Sequence, residues 1–205
     1  MIRGNGRVVE KYLWKDLTTL LAVYHGNDNL LQRFTYTSNR MPTSMSTTTG
    51  IYYLHYDQVG TLRLVSNQQS QVVKEITYDT FGTILSDTNT SLNIPFGFAG
   101  GLHDRDTNLV HFGYREYDPQ TAKWTAKDPI DFSGGDSNLY GYVLGDPVGF
   151  IDPKGLSIWP WNDKSSGQTC DNNNNNTKPT LEQCYNRLEE DRKKCRPGTL
   201  GAFNE

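Results

Sequence analysis

Four aspartates in this chain are each followed by proline: Asp118, Asp128, Asp146 and Asp152. Two carboxylates brought close together cannot both ionise, so one keeps a proton while the other polarises a water. That is the acid/base division peptide hydrolysis needs. A guanidinium beside such a pair would hold it in place and stabilise developing negative charge. Asp-Pro is also an ordinary turn signature, because proline fixes φ, lacks an N–H and leaves the aspartate to bond nearby backbone groups. On residue type alone, each of the four reads first as a turn former and only second as an acid or a base.

The other reactive side chains point to less. His25, His55, His103 and His111 fall on different expected elements, none with a metal-ligating neighbour three or four residues on, and read as strand or turn residues. Ser157 has no base placed near it by sequence. Cys170, Cys184 and Cys195 match no common zinc spacing, and an odd count leaves at least one thiol outside any internal disulfide. Arg187, Arg192, Lys193, Lys194 and Arg196 are interleaved with Glu182, Glu189, Glu190 and Asp191, which reads as a solvated helix surface rather than a nucleic-acid patch. No cofactor or metal site is expected.

The elements that would position these residues are strands. The apolar fraction is 35%, with 12 Tyr and 19 Gly, a mixture suited to half-exposed strands joined by tight turns. Phe34-Thr-Tyr36, Leu54-His-Tyr56-Asp57-Gln-Val-Gly60, Ile76-Thr-Tyr78-Asp79-Thr-Phe-Gly82 and Arg115-Glu-Tyr117-Asp118 form a weak repeat whose first three tyrosines stand 20 and 22 residues apart. Such a period points to an array in which each unit buries its face on the next. Within a unit, Tyr ends a strand, Asp starts a turn by accepting backbone N–H bonds, and Gly takes the positive φ the turn demands. The pattern predicts a β-meander from about Val8 to Ser86, with Ser66-Asn67-Gln68 as a hairpin break. Ile94-Pro-Phe-Gly-Phe-Ala-Gly-Gly101 lacks the context of a nucleotide loop and reads as a tight aromatic turn.

A change of character follows Asp136-Ser-Asn-Leu-Tyr-Gly-Tyr-Val-Leu-Gly-Asp-Pro-Val-Gly-Phe-Ile-Asp-Pro-Lys-Gly-Leu156. Beyond it come Trp159-Pro-Trp161, five consecutive Asn at 172–176 and all three cysteines. The Asn run reads as a spacer. Thr180 with Gln183 forms a weak capping box ahead of a helix predicted over Leu181 to about Cys195, stopped by Pro197-Gly198. The divisions are therefore 1–86, a strand region; 87–156, an irregular core; and 157–205, a tail. The tail shows no catalytic site.

Tyr53-Leu-His-Tyr-Asp-Gln-Val-Gly60, Pro95-Phe-Gly-Phe-Ala-Gly-Gly-Leu102, Phe112-Gly-Tyr-Arg-Glu-Tyr-Asp-Pro119, Trp124-Thr-Ala-Lys-Asp-Pro129 and the closing Asp-Pro-Lys-Gly-Leu together resemble the YD-repeat and Rhs-associated core segment of Rhs/YD-repeat proteins, over roughly residues 33–156. The resemblance implies a mainly β fold, a YD-repeat antiparallel meander or spiral sheet forming part of a cocoon, with an irregular core plug. It further implies an intramolecular aspartyl-type protease in which Arg115, Asp128 and Asp152 cut between Leu156 and Ser157 and release a variable, toxin-like tail. A whole cocoon needs more strands than this chain holds. The expected partners are the remainder of a larger shell and a cognate immunity protein for the tail. The alternative is a non-enzymatic YD-repeat scaffold or surface interaction fragment in which the aspartates only make turns.

A net charge of −3 gives the core no electrostatic footprint for nucleic acid or an anionic membrane. Residues 1–25 are interrupted by charge and lack signal-peptide character, and no stretch approaches the roughly 18 apolar residues of a membrane span. The expected location is outside the cell or at its surface, as part of a larger exported protein.

Overall fold

The computed structural model describes residues 8–37 and 40–160, all within one compact unit that spans residues 1–163. The expected Asn spacer, the helix over 181–195, the basic cluster and the three cysteines lie outside the described residues.

Eight strands follow one another in a single antiparallel sheet in chain order: β1 (Glu10–Trp14), β2 (Leu20–His25), β3 (Leu30–Tyr36), β4 (Pro42–Thr47), β5 (Gly50–Tyr56), β6 (Leu62–Asn67), β7 (Val72–Tyr78) and β8 (Ile84–Asp87). The fold is mainly β and open, as the repeat predicts. Its 20- and 22-residue spacing is two strands and two turns. Tyr36, Tyr56 and Tyr78 end β3, β5 and β7, and the ladder register slips at each of them.

The turn chemistry explains why the unit recurs. Asp57 Oδ1 accepts the N–H groups of Val59 (3.2 Å) and Thr61 (2.9 Å), and Asp79 Oδ1 those of Phe81 (2.9 Å) and Thr83 (2.8 Å). Gly60 and Gly82 then take φ of +91° and +95°, which a side chain would strain. The expected break at Ser66-Asn67-Gln68 falls later. β6 runs through Asn67 and the turn occupies 68–71. There Asn67 Oδ1 accepts the N–H groups of Gln69 and Gln71, both at 3.0 Å, while Ser70 holds φ +60°. This is the Asp-x-x-Gly turn built from Asn and Ser, both of which form local side-chain-to-backbone bonds.

Side chains alternate across the sheet, and the inner set includes Leu20, Phe34, Met45, Leu54, Leu62, Val65 and Ile76, all buried. Lys74 shares that face at 1% exposure. Its Nζ donates to both Asp87 carboxylate oxygens and to the Asn89 carbonyl, each at 2.6 Å. A buried ammonium is tolerated only when so partnered.

The chain then crosses the inner face. Residues 94–101 turn tightly, with Phe96 and Phe98 buried and Phe96 set edge-on to Phe34 at 5.0 Å. Ala99 N–H donates to Thr61 Oγ1 (3.0 Å) and Leu62 N–H to the Gly97 carbonyl (3.2 Å), so the segment packs as an aromatic turn. A second sheet follows, ordered β12-β11-β10-β9: β9 (Leu102–His103), β10 (Val110–Phe112), β11 (Arg115–Asp118) and β12 (Lys123–Trp124). Phe98, Phe112, Tyr117, Trp124 and Tyr142 form one aromatic cluster; the Tyr117 and Tyr142 centroids are 4.3 Å apart. Finally β13 (Phe150–Ile151) pairs antiparallel with β14 (Trp159–Pro160), with Ile151 opposite Trp159. The chain therefore doubles back across Leu156 and Ser157.

Candidate active site

Arg115 opens β11, directly opposite Phe112 across a hairpin whose turn residue Gly113 holds φ +54°. That turn lies against the 152–156 loop, where Tyr114 N–H donates to the Lys154 carbonyl at 2.9 Å. Gly155, at φ +66°, lets the loop come this close. A methyl group there would stand only 3.1 Å from the Arg115 backbone nitrogen. Asp128 follows β12; its N–H donates to the Leu139 carbonyl (3.0 Å) and its Oδ1 accepts Ile130 N–H (2.9 Å). Asp152 follows β13.

These three residues, from three separate elements, meet in the interior with exposures of 5%, 7% and 2%. Arg115 Nη2 lies 2.8 Å from Asp128 Oδ2 and 3.2 Å from Asp152 Oδ2, so one nitrogen bridges both carboxylates. Arg115 Nε donates to the Gly155 carbonyl at 2.6 Å, and its guanidinium carbon stacks 4.2 Å from the Trp124 ring. Asp152 Oδ1 accepts the N–H groups of Leu156 (3.0 Å) and Ser157 (3.2 Å), the residues on either side of the expected cut. Burial raises the Asp152 carboxyl above its ordinary range, against the lowering effect of those N–H groups and of Arg115. Burial also lowers the Arg115 guanidinium, with both aspartates acting in the opposite direction.

The other Asp-Pro aspartates do not join them. Asp146 is exposed, and its Oδ1 accepts Val148 and Gly149 N–H groups. Asp118 accepts from Gln120 N–H and Thr121 Oγ1. Both carboxylates make only local turn bonds, two or three residues away.

A cavity of about one water's size borders Arg115, Trp124, Asp128, Gly134, Asp152 and Ile158. Trp124, Gly134 and Ile158 carry no acid or base, so a search for reactive side chains passes them over. Trp124 did carry a signal, standing four residues before Asp128 within one motif. Asp136, which no Asp-Pro pair marks, also lines the cavity; its Oδ1 accepts Asn138 N–H at 2.8 Å.

The four histidines are dispersed. His111 Nδ1 lies 2.6 Å from Glu116 Oε1, a contact that raises its pKa, whereas burial lowers that of His103. His55 bonds Ser66 across the sheet, and His25 bonds Asn27 within a turn. Among the described residues no group of three His, Cys, Asp or Glu is placed to hold a metal ion, and no helix is long and apolar enough to cross a membrane.

A sequential meander with Asx-capped Tyr-Asp turns, covered on its inner face by an irregular segment with a buried Asp/Arg cluster, defines a YD-repeat shell module. The Teneurin YD-shell family model matches residues 5–142, and the chain belongs to that family. The match ends ahead of Asp152. Human Teneurin-1 is 32% identical over 150 residues, covering 69% of this chain and 6% of its own length. Chicken Teneurin-1 is 38% identical over 110 residues, 49% of this chain and 4% of that one. The tRNA nuclease WapA of Bacillus subtilis is 26% identical over 160 residues, covering 76% of this chain and 7% of WapA. The chain thus spans only a small part of the length of these relatives. Among solved structures, a Photorhabdus luminescens Tc holotoxin pore is similar at TM-score 0.53 and 19% identity over 85% of this chain and 9% of that one. TcdB2-TccC3 without its hypervariable C-terminal region is similar at TM-score 0.50 and 19% identity, over 72% and 10%. At that identity the likeness is one of fold.

Proposed function

We propose that this chain is the closing module of a larger YD-shell protein and that it hydrolyses its own Leu156–Ser157 peptide bond, separating residues 157–205 from the shell. The observation that carries the reading is the position of Asp152. One of its oxygens accepts the N–H groups on both sides of that bond, while the other shares Arg115 Nη2 with Asp128.

The chemistry follows from that geometry. Burial raises the Asp152 carboxyl's affinity for a proton, and that carboxyl stands at the leaving nitrogen, so this reading assigns it the shared proton. Asp128 is the base. A water gives a proton to Asp128 and its oxygen adds to the Leu156 carbonyl carbon. The C–N bond then breaks as Asp152 passes its proton to Ser157 nitrogen. The products are a carboxyl group on Leu156 and an amine on Ser157, and the pair is left with its one proton on the other carboxyl. Arg115 holds the pair and offsets negative charge as it develops in a desolvated site.

The released segment is then the effector or its remnant. A toxin-related role is supported by the likeness to a tRNA nuclease and to a Tc component whose C-terminal region is described as hypervariable. The remainder of a shell and an immunity protein for the tail are its proposed partners, and export as part of that larger protein its proposed route.

A second reading keeps the same atoms as scaffold. Asp152 accepts backbone N–H groups much as Asp57 and Asp79 do in their turns, so the cluster would only lock the 152–156 loop to β11. Intact mass and N-terminal sequencing of the purified chain separate the two. Cleavage predicts a new N-terminus at Ser157 that is lost in Asp128→Asn and Asp152→Asn, is weakened or lost in Arg115→Ala, and persists in the turn controls Asp118→Asn and Asp146→Asn. Loss in the controls to the same degree would make the effect one of folding and defeat the catalytic assignment.

A further inference from the structure

Gly134 closes the short 3-10 turn Asp131–Gly134 and is buried. A methyl group on its α-carbon would stand 2.7 Å from Asp128 Oδ2 and 2.8 Å from the Leu156 carbonyl oxygen, well inside van der Waals contact with both. The carboxylate and the carbonyl therefore face one small space that exists because residue 134 has no side chain. The same residue borders the cavity shared by Arg115, Asp128 and Asp152. Its φ lies outside the left-handed region, so no backbone conformation demands glycine here. Gly135 differs: its φ is +93° and nothing lies within 4 Å of an added β-carbon.

The geometry points to Gly134 as a positioning residue for the proposed self-cleavage, keeping open the place between Asp128 and the Leu156 carbonyl from which a water attacks. The inference rests on the autoproteolytic reading and adds to it the position of the nucleophile. The attacking oxygen must lie within reach of the base and of the carbonyl carbon at once, and a displacement of about 1 Å costs on the order of 100-fold in rate. An added methyl fills that place and pushes Asp128 away from its partners. The neighbouring Gly135→Ala strains the turn and leaves the space untouched.

The test compares cutting rates of the full chain, by intact mass against time, for wild type, Gly134→Ala and Gly135→Ala, with melting temperature and a pH–rate profile for each. Gly134→Ala is expected to cut at least about 100-fold more slowly, beyond what any change in its melting temperature accounts for. Its pH–rate profile changes shape, because the base no longer meets its water in the same geometry. Gly135→Ala is expected to lose some stability while its profile superimposes on that of wild type. Should Gly134→Ala itself lower the melting temperature, the double variant Gly134→Ala/Ile158→Ala decides, since removing the Ile158 side chain returns room to the same cavity. Recovery of cutting supports the assignment, and no recovery overturns it. Equal rates for Gly134→Ala and wild type, or equal slowing by both glycine variants, overturn it and leave autoproteolysis standing. An uncut wild-type chain overturns autoproteolysis and this inference together.

Discussion

Replacing Arg115 by Met keeps an unbranched chain against Trp124 while removing the one cation that bridges two buried carboxylates. Asp128 and Asp152 are then left facing each other at 7% and 2% exposure, and the Gly155 carbonyl loses its donor. Breaking a buried ion pair by removing one partner costs about 3–5 kcal/mol, because the remaining charge stays buried and uncompensated. With a urea dependence of about 2 kcal/mol per M, the unfolding midpoint falls by about 2 M. The cause is isolated by a second substitution. Above the pH at which the folded Asp152 carboxyl ionises, Asp152→Asn destabilises the chain while Arg115 is present, since it removes a charge that the guanidinium pairs. In the Arg115→Met background at the same pH it is neutral or stabilising, by up to roughly 1–3 kcal/mol, since it relieves two carboxyls that no cation separates. Urea unfolding followed by tryptophan fluorescence on wild type, both single variants and the double variant gives the four corners of the cycle. Wild type and Arg115→Met are followed on the fraction that intact mass shows uncut, so that all four corners refer to the same chain. If Asp152→Asn is equally destabilising with and without Arg115, the two groups are not coupled and the reasoning about the site's electrostatics is wrong.

Three further outcomes are expected. The folded Asp152 carboxyl lies above its unfolded value, so the folded chain binds more protons between the two; its burial penalty is fully felt above the folded value and relieved as pH falls toward the unfolded one. The cutting rate should accordingly decline as pH rises through the folded value, and a rate that climbs steadily toward alkaline pH would remove Asp152 from the proton-donating role. Gly82→Ala forces a side chain into φ +95° with the Phe98 ring against it, and should lower stability by about 1–2 kcal/mol in thermal melting; no change would mean that the turn relaxes freely. Tyr117→Phe removes a 2.8 Å bond to the Phe81 carbonyl and should cost about 1 kcal/mol, whereas Tyr142→Phe removes a buried hydroxyl with no hydrogen-bond partner among the described residues and should be neutral or stabilising. Denaturation midpoints with the two effects reversed would refute that accounting.

The meander was readable from local chemistry because each Tyr-Asp-x-x-Gly unit carries its own instructions. An aromatic suits the strand end, a short carboxylate caps the turn, and glycine alone enters positive φ without strain. The same logic hid the turn after Asn67, where Ser70 takes the left-handed conformation and no glycine announces it. Lys74 was hidden differently. Alternation sets it in phase with buried Ile76 and Tyr78, yet a lysine is read as an outward residue unless its acceptors are known, and Asp87 and Asn89 reach it only through the β7–β8 pairing.

For the site, the sequence supplied four equivalent Asp-Pro aspartates, and a family resemblance singled out two of them. What separates the four physically is tertiary. Asp118 and Asp146 complete all their bonds within a few residues, a matter of local geometry. Asp128 and Asp152 share a nitrogen of Arg115, 37 residues before Asp152, because the β10–β11 hairpin and the 152–156 loop pack through Gly113 and Gly155. Local sequence determines which way a turn bends and which residues face inward, since those depend on φ, ψ and period. Which buried charges meet depends on how distant segments pack, and that the fold alone decided.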